Sequence, residues 1–259
     1  MTHPNETHSA AWTPTDLESN PHAAHDKAQR VQQMFGSIAG SYDLNNRVHS
    51  LGRDQAWRRA AVRMAEVTST DHVLDVACGT GDLTEAFANA RPATVVGLDF
   101  TAPMLDIARE KWSRHADDSM PAPTYIEGDA MALPQDNASV DVVSIAFGIR
   151  NVAEPDRAFA EFRRVLRPGG RLIVLEFDEP RFALARFGHR LYTHHIMPRT
   201  ASLIARDRSG AYRYLPRSID TFMNRDAMKA ALLEAGFDSV RQRSMTFGTV
   251  TISRGDVRA

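Results

Sequence analysis

The sequence predicts an α/β fold: a mostly parallel sheet of seven strands, with helices on both faces and an antiparallel hairpin at the C-terminal end. From about residue 72 onward, strand-like and helix-like blocks alternate, which is typical of a parallel sheet. The strand-like blocks are nearly continuous apolar runs, as expected for strands buried on both sides. A chain of 259 residues with 43% apolar content suits one large domain with extensions.

The blocks follow one another in a regular order. Five strands are predicted, at "HVLDVACG", "ATVVGLDF", "PTYIEGDA", "SVDVVSIAFG" and "RLIVLEF". Helical spacing is found in "DLTEAFANA", "APMLDIAREKWSRH" and "NRDAMKAALLEAGF". The block "PDRAFAEFRRVLRPGG" also predicts a helix, which Pro168 and Gly169-Gly170 should stop. Finally, "DSVRQRSMTFGTVTISRG" predicts two closing strands that pair as a hairpin.

The segments that flank this alternation have a different character. Residues 1–26 contain no Lys or Arg and are rich in Pro, Asn, Thr, Ser and His, so we expect a disordered leader. Residues 27–259 are predicted to form a single domain. Within it, the segments at about 27–66 and 180–220 should be helical caps over the carboxyl edge of the sheet, where open α/β sheets bind ligands.

The composition argues against several classes of protein. Lys plus Arg (31) nearly balance Asp plus Glu (32), so no basic excess points to nucleic acid as a partner. Cys78 is the single cysteine, which excludes an intrachain disulfide and suits a reducing compartment. No apolar run approaches the roughly 18 residues of a membrane span, and the N-terminus lacks a signal-peptide core. We therefore expect a cytoplasmic protein, and the lack of a Cys/His cluster predicts no metal site.

A glycine-rich turn, "DVACGTGDLT", follows the first strand and opens a helix. Gly79 and Gly81 allow a tight turn and close approach of a ligand to the backbone, and the helix N-terminus offers free N–H groups. Thr84 stands where a nicotinamide-binding fingerprint needs its third glycine. Asp75 in the strand and Asp99 at the end of the next strand favour a ligand with a cationic group and a ribose, such as S-adenosylmethionine (SAM). A turn that serves only packing is the alternative.

Polar residues follow the third and fourth strands, and each set has two interpretations. In "EGDAMALP", Asp129 and Ala130 suit contact with an adenine ring, although Gly-Asp also favours an Asx turn. In "SIAFGIRNVAEP", Arg150 and Asn151 stand where a strand leaves the sheet. They form either a polar turn before the next helix or part of a site.

Taken in order, the motifs resemble those of a known enzyme family. The stretches "VQQMFGSIAGSYDLNNRVHSLGRDQAWRRAAV", "VLDVACGTGDLT", "GDAMALP", "FGIRNV", "RVLRPGGRLIVLEF" and "YRYLPRSIDTF" are together similar to the ubiquinone/menaquinone biosynthesis C-methyltransferases, over about residues 30–255. The resemblance implies a Rossmann-like class I methyltransferase fold. It also implies methyl transfer from SAM to a ring carbon of a polyprenylated quinol. Demethylmenaquinol would become menaquinol, and some members also methylate a benzoquinol on the ubiquinone path.

The matching motifs further imply which residues bind SAM. Thr80, Asp99 and Asp129 with its neighbour Ala130 occupy positions that contact SAM in the family. A family serine just before "FG" is Ala146 in this chain, so a contact there must use the backbone or packing. With the glycine turn included, the predicted cofactor-binding residues are Asp75, Gly79, Thr80, Gly81, Asp99, Asp129, Ala130 and Ala146.

Carbon methylation requires a phenol of the quinol, with a pKa of about 10, to lose or share its proton. The predicted catalytic residues are Tyr42, Asp43, Arg150 and Asn151. Arginine does not readily give up its proton, so Arg150 should stabilise the phenolate or orient water, whereas Tyr42 or Asp43 relays the proton. A helix boundary capped by Asp43 is the alternative for that pair. Further candidate bases are His49, His189, His194 and His195.

The segment 180–205 combines apolar residues with Arg181, Arg186 and Arg190. Helical apolar spacing usually means core packing, but an amphipathic lid that guides an isoprenoid tail from the inner face of the membrane is a second hypothesis. A homodimer is a further expectation. The rival functions are another small-molecule methyltransferase, an NAD-dependent oxidoreductase and a non-catalytic SAM-binding protein. The identity of the quinol ring, its tail length and the general base are left open.

Overall fold

The computed structural model describes residues 10–115, 120–205 and 209–259, and within them it shows one seven-stranded sheet. The strands are β1 (His72–Val76), β2 (Thr94–Asp99), β3 (Thr124–Glu127), β4 (Val140–Ala146), β5 (Leu166–Phe177), β6 (Ser239–Met245) and β7 (Val250–Asp256). Their order across the sheet is β3-β2-β1-β4-β5-β7-β6. Strands β1 to β5 pair in parallel, whereas β7 runs antiparallel to both β5 and β6. The predicted fold class and closing hairpin are confirmed.

Helices cover both faces of this sheet. They are α1 (Lys27–His49), α2 (Arg53–Ala65), α3 (Asp82–Ala88), α4 (Ala102–His115), α5 (Pro155–Val165), α6 (Ala183–Leu191), α7 (Met197–Ala205), α8 (Ala211–Asp220) and α9 (Arg225–Glu234). On one face, Phe159 of α5 packs in the same cluster as Leu232 of α9. On the other face, Trp57 of α2 joins Phe87 of α3. No described helix is long and apolar enough to cross a membrane.

The sheet reverses its winding between β1 and β4, and open α/β sheets form their ligand crevice at such a point. β1 pairs with β2 on one side and with β4 on the other. The loop after β1 is the glycine turn, and the loop after β4 is a 3₁₀ turn that contains Arg150 and Asn151. The topology therefore brings the two predicted halves of the site to the same edge of the sheet.

The two predicted cap segments pack against each other above this edge. Val31 and Met34 of α1 lie in one cluster with Ala201 of α7 and Tyr214 of α8. A π-helical turn, Tyr192–Ile196, joins α6 to α7. The caps close a volume that the strand ends alone would leave open to solvent.

The prediction of a disordered leader is wrong for residues 10–26. Trp12 is 1% exposed, and its ring stacks on that of Tyr214 with centroids 4.7 Å apart. Its backbone N–H donates to the Ser209 carbonyl oxygen at 3.0 Å. The polar composition predicted disorder, but one large aromatic side chain anchors the segment to the helical cap. Residues 1–9 lie outside the described residues.

The boundary between α5 and β5 also lies earlier than predicted. The helix ends at Val165, before Pro168 and the two glycines, because Leu166 already pairs with Val140 in the sheet. The register between β4 and β5 then shifts between Val140 and Val142. At its other end, β5 continues past its last pair with β4, which places Phe177 in the crevice and Glu176 beside it.

Candidate active site

Two adjoining cavities lie at the carboxyl edge of the sheet. The smaller cavity, of about 90 Å³, lies beside the ends of β1, β2 and β4. The larger cavity, of about 340 Å³, lies between the cap helices and the ends of β4 and β5. Phe35, Tyr42 and Phe147 line both cavities, so a single aromatic wall separates them. Ligands in the two cavities would meet at this wall.

The glycine turn forms one side of the smaller cavity, and Asp99 holds it in place. One carboxylate oxygen of Asp99 accepts the Gly79 backbone N–H at 2.8 Å, and the other accepts the Thr101 backbone N–H at 2.8 Å. Burial raises the pKa of Asp99. At Gly81, φ is +85° and a Cβ would lie 2.7 Å from the Tyr125 hydroxyl oxygen, so only glycine fits. Gly79 and Asp99 line the cavity, whereas Gly81 shapes the turn behind it.

The loop after β3 forms the opposite side of the smaller cavity. Asp129, Ala130 and Met131 line it, and Ala146 lines it from the end of β4. A carboxylate oxygen of Asp129 also accepts the Met131 backbone N–H at 2.9 Å, which is an Asx turn. The two interpretations of this motif are therefore compatible, because the turn places these residues on the cavity wall.

Asp75 lies beneath the turn instead of in the smaller cavity. Its carboxylate accepts hydrogen bonds from the Thr84 hydroxyl at 2.6 Å and from the Ser144 hydroxyl at 2.7 Å. Ser144 is its direct neighbour in the β1–β4 register, which explains the contact. Burial raises the pKa of Asp75 to about 6, although both hydroxyls oppose the shift. The residue borders a third space of about 30 Å³, the inner pocket, together with Thr80.

Thr80 connects the turn to a network of charged side chains. Its hydroxyl donates to a carboxylate oxygen of Asp43 at 2.6 Å, and the other oxygen of Asp43 accepts from the Lys111 ammonium at 2.8 Å. Lys111 also pairs with Asp82 at the start of α3. Asp43 lies in the middle of α1, so the alternative in which it caps a helix boundary is wrong. It lines neither of the two cavities.

Arg150 faces the larger cavity from the end of β4. The residue is 5% exposed. Its Nη1 donates to the Phe147 carbonyl oxygen and to a carboxylate oxygen of Glu176, both at 2.7 Å. Its guanidinium lies over the Phe177 ring, 5.2 Å from the centroid. The Arg150 guanidinium is thus buried and ion-paired, and the residue also stands in a 3₁₀ turn before the next helix, so the two interpretations are compatible.

Asn151 turns away from its neighbour and lines the smaller cavity. Its amide nitrogen donates to the Phe147 carbonyl oxygen at 3.3 Å, and its amide oxygen accepts from the Tyr214 hydroxyl at 3.0 Å. Burial raises the pKa of Tyr214 to about 12, so this phenol keeps its proton and acts as the donor. The adjacent residues Arg150 and Asn151 consequently serve different cavities.

Three buried residues of the site were missed by sequence reasoning. Glu176 belongs to the strand block "RLIVLEF", where an acid in an apolar run was a usable signal. Tyr214 belongs to the quoted "YRYLP" motif, but its partner is 63 positions away. Lys27 is 2% exposed and its ammonium donates to the Val152 carbonyl oxygen at 2.5 Å. Burial and then the charge of Arg150 lower the pKa of Lys27 to about 8.

The histidines proposed as bases lie in different environments. His49 lines the larger cavity, and its Nδ1 lies 3.0 Å from the Tyr192 hydroxyl oxygen. Burial lowers the pKa of His49, and its Nε2 is buried with no partner among the described residues. His195 is exposed, and the side chains of His189 and His194 lie outside the described residues. In residues 10–115, 120–205 and 209–259, no group of three or more His, Cys, Asp or Glu could hold a metal ion.

Comparison with known proteins identifies relatives over nearly the whole chain. Residues 23–256 match the model of the ubiE/COQ5 methyltransferase family. A demethylmenaquinone methyltransferase from Deinococcus radiodurans is 45% identical over 90% of this chain and 95% of its own. The Thermus thermophilus protein of the same name is 45% identical over 86% of this chain and 99% of its own. A Geobacter ubiquinone/menaquinone biosynthesis C-methyltransferase UbiE is 38% identical over 90% and 99%, respectively.

Solved structures of lower identity share the fold. A SAM-dependent methyltransferase from Thermotoga maritima has a TM-score of 0.59 at 17% identity, over 87% of this chain and 99% of its own. Haemonchus contortus phosphoethanolamine N-methyltransferase 2, solved with S-adenosyl-L-methionine, has a TM-score of 0.57 at 14% identity, over 78% of this chain and 52% of its own. The fold is that of Rossmann-like class I methyltransferases. The Deinococcus and Thermus relatives also match this chain in sequence over almost their full length. The chain therefore belongs to the ubiE/COQ5 methyltransferase family.

Proposed function

We propose that the protein transfers the methyl group of SAM to a ring carbon of a polyprenylated quinol, converting demethylmenaquinol to menaquinol. The observation that carries this proposal is the pair of cavities that share the wall of Phe35, Tyr42 and Phe147. One cavity is bordered by carboxylates and the glycine turn, and the other is mostly apolar. A polar donor and a lipophilic acceptor would therefore meet at one defined place.

The residues around the smaller cavity and the inner pocket fit SAM. Asp129 and Ala130 offer a carboxylate and an apolar surface to an adenine ring. Asp99 lies at the end of β2, where an acid can accept ribose hydroxyls. Arg58 and Asp82 line the inner pocket and offer opposite charges to an amino-acid group. When bound, SAM supplies an electrophilic methyl group.

The larger cavity fits the ring of a quinol. Its apolar lining includes Met34, Ile38, Trp57, Phe147 and Phe177. Polar side chains such as Asn46 and Asp54 also border the cavity, but most of its surface is apolar, as in many sites for lipophilic small molecules. Arg150 is the charged group at the ends of β4 and β5, beside the shared wall.

We assign Arg150 and Tyr42 to the quinol oxygen. The guanidinium of Arg150 offers N–H donors that would stabilise the phenolate. Burial raises the pKa of Tyr42, so at neutral pH this phenol keeps its proton and acts as a donor instead of a base. Loss of the quinol proton increases electron density on the adjacent ring carbon. After methylation, that carbon releases its own proton and the ring becomes aromatic again.

The choice of quinol rests on the relatives. Two relatives at 45% identity are named demethylmenaquinone methyltransferase, whereas the Geobacter relative at 38% carries both pathway names. A benzoquinol of the ubiquinone path is therefore the second substrate to test. The decisive assay supplies SAM with reduced demethylmenaquinone or a reduced ubiquinone-precursor analogue and identifies the product by mass spectrometry. Absence of a methylated ring with both substrates would overturn the proposal.

We also propose that the protein contacts a membrane surface at the mouth of the larger cavity. The Nδ1 of His49 lies 3.0 Å from the Tyr192 hydroxyl oxygen, which joins the end of α1 to the π-helical turn. At this edge, Leu51 lines the cavity although it is 86% exposed. Further exposed apolar side chains on α1, α6 and their neighbours are Leu44, Phe182, Leu184, Phe187, Leu191, Ile196 and Leu203.

Basic residues flank these apolar side chains, as in helices that lie in a bilayer interface. Arg181, Arg186 and Arg190 each have a substantially exposed side chain. A polyprenyl tail is too lipophilic to leave the bilayer without cost, since each buried CH₂ contributes about 0.8 kcal/mol. Contact at the cavity mouth would let the ring enter the protein while the tail stays in lipid. This arrangement supports a cytoplasmic protein that binds the membrane peripherally.

A further inference from the structure

We infer that Glu176 is a positioning residue: it holds Arg150 so that the free edge of the guanidinium faces the quinol ring. The inference rests on the proposed function, because it places the ring in the larger cavity. Glu176 itself is 5% exposed and does not line that cavity. It would therefore act on turnover through a neighbour, and Arg150 is the side chain that it binds.

The hydrogen bonds of Arg150 leave one edge of its guanidinium available. Nη1 uses its two protons on Phe147 and Glu176. Nε is buried and has no partner among the described residues. Nη2 also has no protein partner among them, but unlike Nε it is not fully buried. Since Arg150 lines the larger cavity, Nη2 is the donor that a bound ring can reach.

One carboxylate oxygen of Glu176 is anchored to the backbone, whereas the other is buried with no partner among the described residues. The oxygen that accepts from Arg150 also accepts the Phe177 backbone N–H at 2.8 Å. Phe177 supports the flat face of the guanidinium, 5.2 Å from the ring centroid. A guanidinium is planar, so two acceptors on Nη1 and one ring against its face together determine where Nη2 points. A neighbouring strand end thus orients the side chain.

The charge of Glu176 explains why the cation can be buried beside an apolar cavity. A buried charge without a partner is strongly unfavourable, and one ion pair with good geometry offsets that cost. Burial raises the pKa of Glu176, although the charge of Arg150 opposes this shift. Without this carboxylate, Arg150 would turn toward other acceptors or admit water. The donor to the quinol oxygen would then be misplaced.

A double-mutant cycle tests this inference with Arg150→Ala, Glu176→Ala and the double variant. We expect Glu176→Ala to lower kcat about tenfold or more, with SAM affinity by calorimetry unchanged within about twofold. If Glu176 acts only through Arg150, the double variant should have the kcat of Arg150→Ala within about twofold. If Glu176→Ala unfolds, the cycle is measured again with Glu176→Gln, which keeps the size of the side chain. Quinol affinity can be followed independently by quenching of Trp57, which lines the cavity.

Asp178→Ala is the matched control. Asp178 is 6% exposed, lies two positions beyond Glu176, and pairs with Arg225 at 2.5 Å. We expect it to lower thermal stability, and its effect on kcat should multiply with that of Arg150→Ala. A double variant of Arg150 and Glu176 whose loss is the product of the single losses would overturn the inference. Full turnover by Arg150→Ala would instead contradict the proposed placement of the quinol.

Discussion

At the residue scale, the short turn after β4 places one polar side chain at each of the two cavities. Arg150 is oriented by Glu176 toward the larger cavity, whereas Asn151 is held by Tyr214 beside the smaller one. Phe147 accepts a hydrogen bond from each side chain through the same carbonyl oxygen. One backbone group therefore aligns both halves of the site, which explains why two polar residues stand together at a strand end.

The hydroxyl of Tyr214 offers a direct test of this arrangement. Tyr214→Phe keeps the ring that stacks on Trp12 but removes the donor to the Asn151 amide oxygen. We expect a loss of about 1–3 kcal/mol in unfolding free energy, because a buried acceptor loses its partner, and a several-fold lower kcat. Urea denaturation and steady-state kinetics measure both effects. Tyr125→Phe is the control, because the Tyr125 hydroxyl has no partner in the described part of the chain.

Asp43 should affect SAM binding more than proton transfer. Its carboxylate bridges Thr80 and Lys111 and lies outside both cavities. We expect Asp43→Ala to weaken SAM binding about tenfold, because the glycine turn loses its tie to α1. At saturating SAM, kcat should stay within about threefold of the wild-type value. If Asp43→Ala instead lowered kcat strongly at saturating SAM and left SAM affinity intact, the result would support the proton relay predicted from the sequence.

At the element scale, the two helical caps create the acceptor site. The sheet edge supplies the shared wall residue Phe147, whereas α1 supplies Phe35 and Tyr42. The π-helical turn and α8 close the opposite side. Without the caps, the strand ends and their loops would form only part of the smaller cavity. The caps also carry the exposed apolar side chains, so the proposed substrate entry and the proposed membrane contact involve the same elements.

The exposed face of α6 should mediate membrane contact. Leu184 is 85% exposed and Phe187 is 68% exposed. We expect the double variant Leu184→Ser with Phe187→Ser to lose most co-sedimentation with liposomes, while turnover of a short-chain, water-soluble quinol stays within about twofold. Leu233→Ser is the control, because this exposed leucine lies on α9, away from the cavity mouth. If the double variant and Leu233→Ser co-sedimented with liposomes equally, the face of α6 would not be the membrane-contact surface.

At the scale of the whole molecule, pH acts on stability through buried acids. Burial raises the pKa of Asp75 to about 6, above the value of about 3.9 for an unfolded chain. The native state therefore binds this proton more tightly than the unfolded state. Its stabilising contribution is complete below about pH 4 and is lost as the pH rises through about 6.

Asp75→Asn should remove this dependence. Relative to the wild type, we expect the variant to gain unfolding free energy between about pH 4 and pH 6, by up to about 1.4 kcal/mol per pH unit. Urea denaturation at several pH values measures the difference. Asp106→Asn, at an exposed position on α4, is the control substitution. Parallel curves for both variants would show that Asp75 titrates normally.

The sheet and its glycine turn were predictable because they depend on local patterns. Continuous apolar runs located the five parallel strands, and the acid at the end of β2 with the glycines after β1 located the smaller cavity. The division of Arg150 and Asn151 between two cavities was not predictable. It depends on Glu176, 26 positions from Arg150, and on Tyr214, 63 positions from Asn151. Such pairs are set by tertiary packing, which hydrophobic periodicity does not encode.

The burial of Trp12 has a practical consequence for shortened forms of the protein. Every residue that lines the two cavities lies at or after Ala28, and the family match starts at residue 23. A form that begins at residue 23 would keep the whole reactive surface and still uncover the ring of Tyr214. Amide hydrogen exchange should then accelerate in α8, and proteases should cut there first. We therefore expect a stable form of the protein to need an N-terminal boundary before Trp12, ahead of the residues that the family match covers.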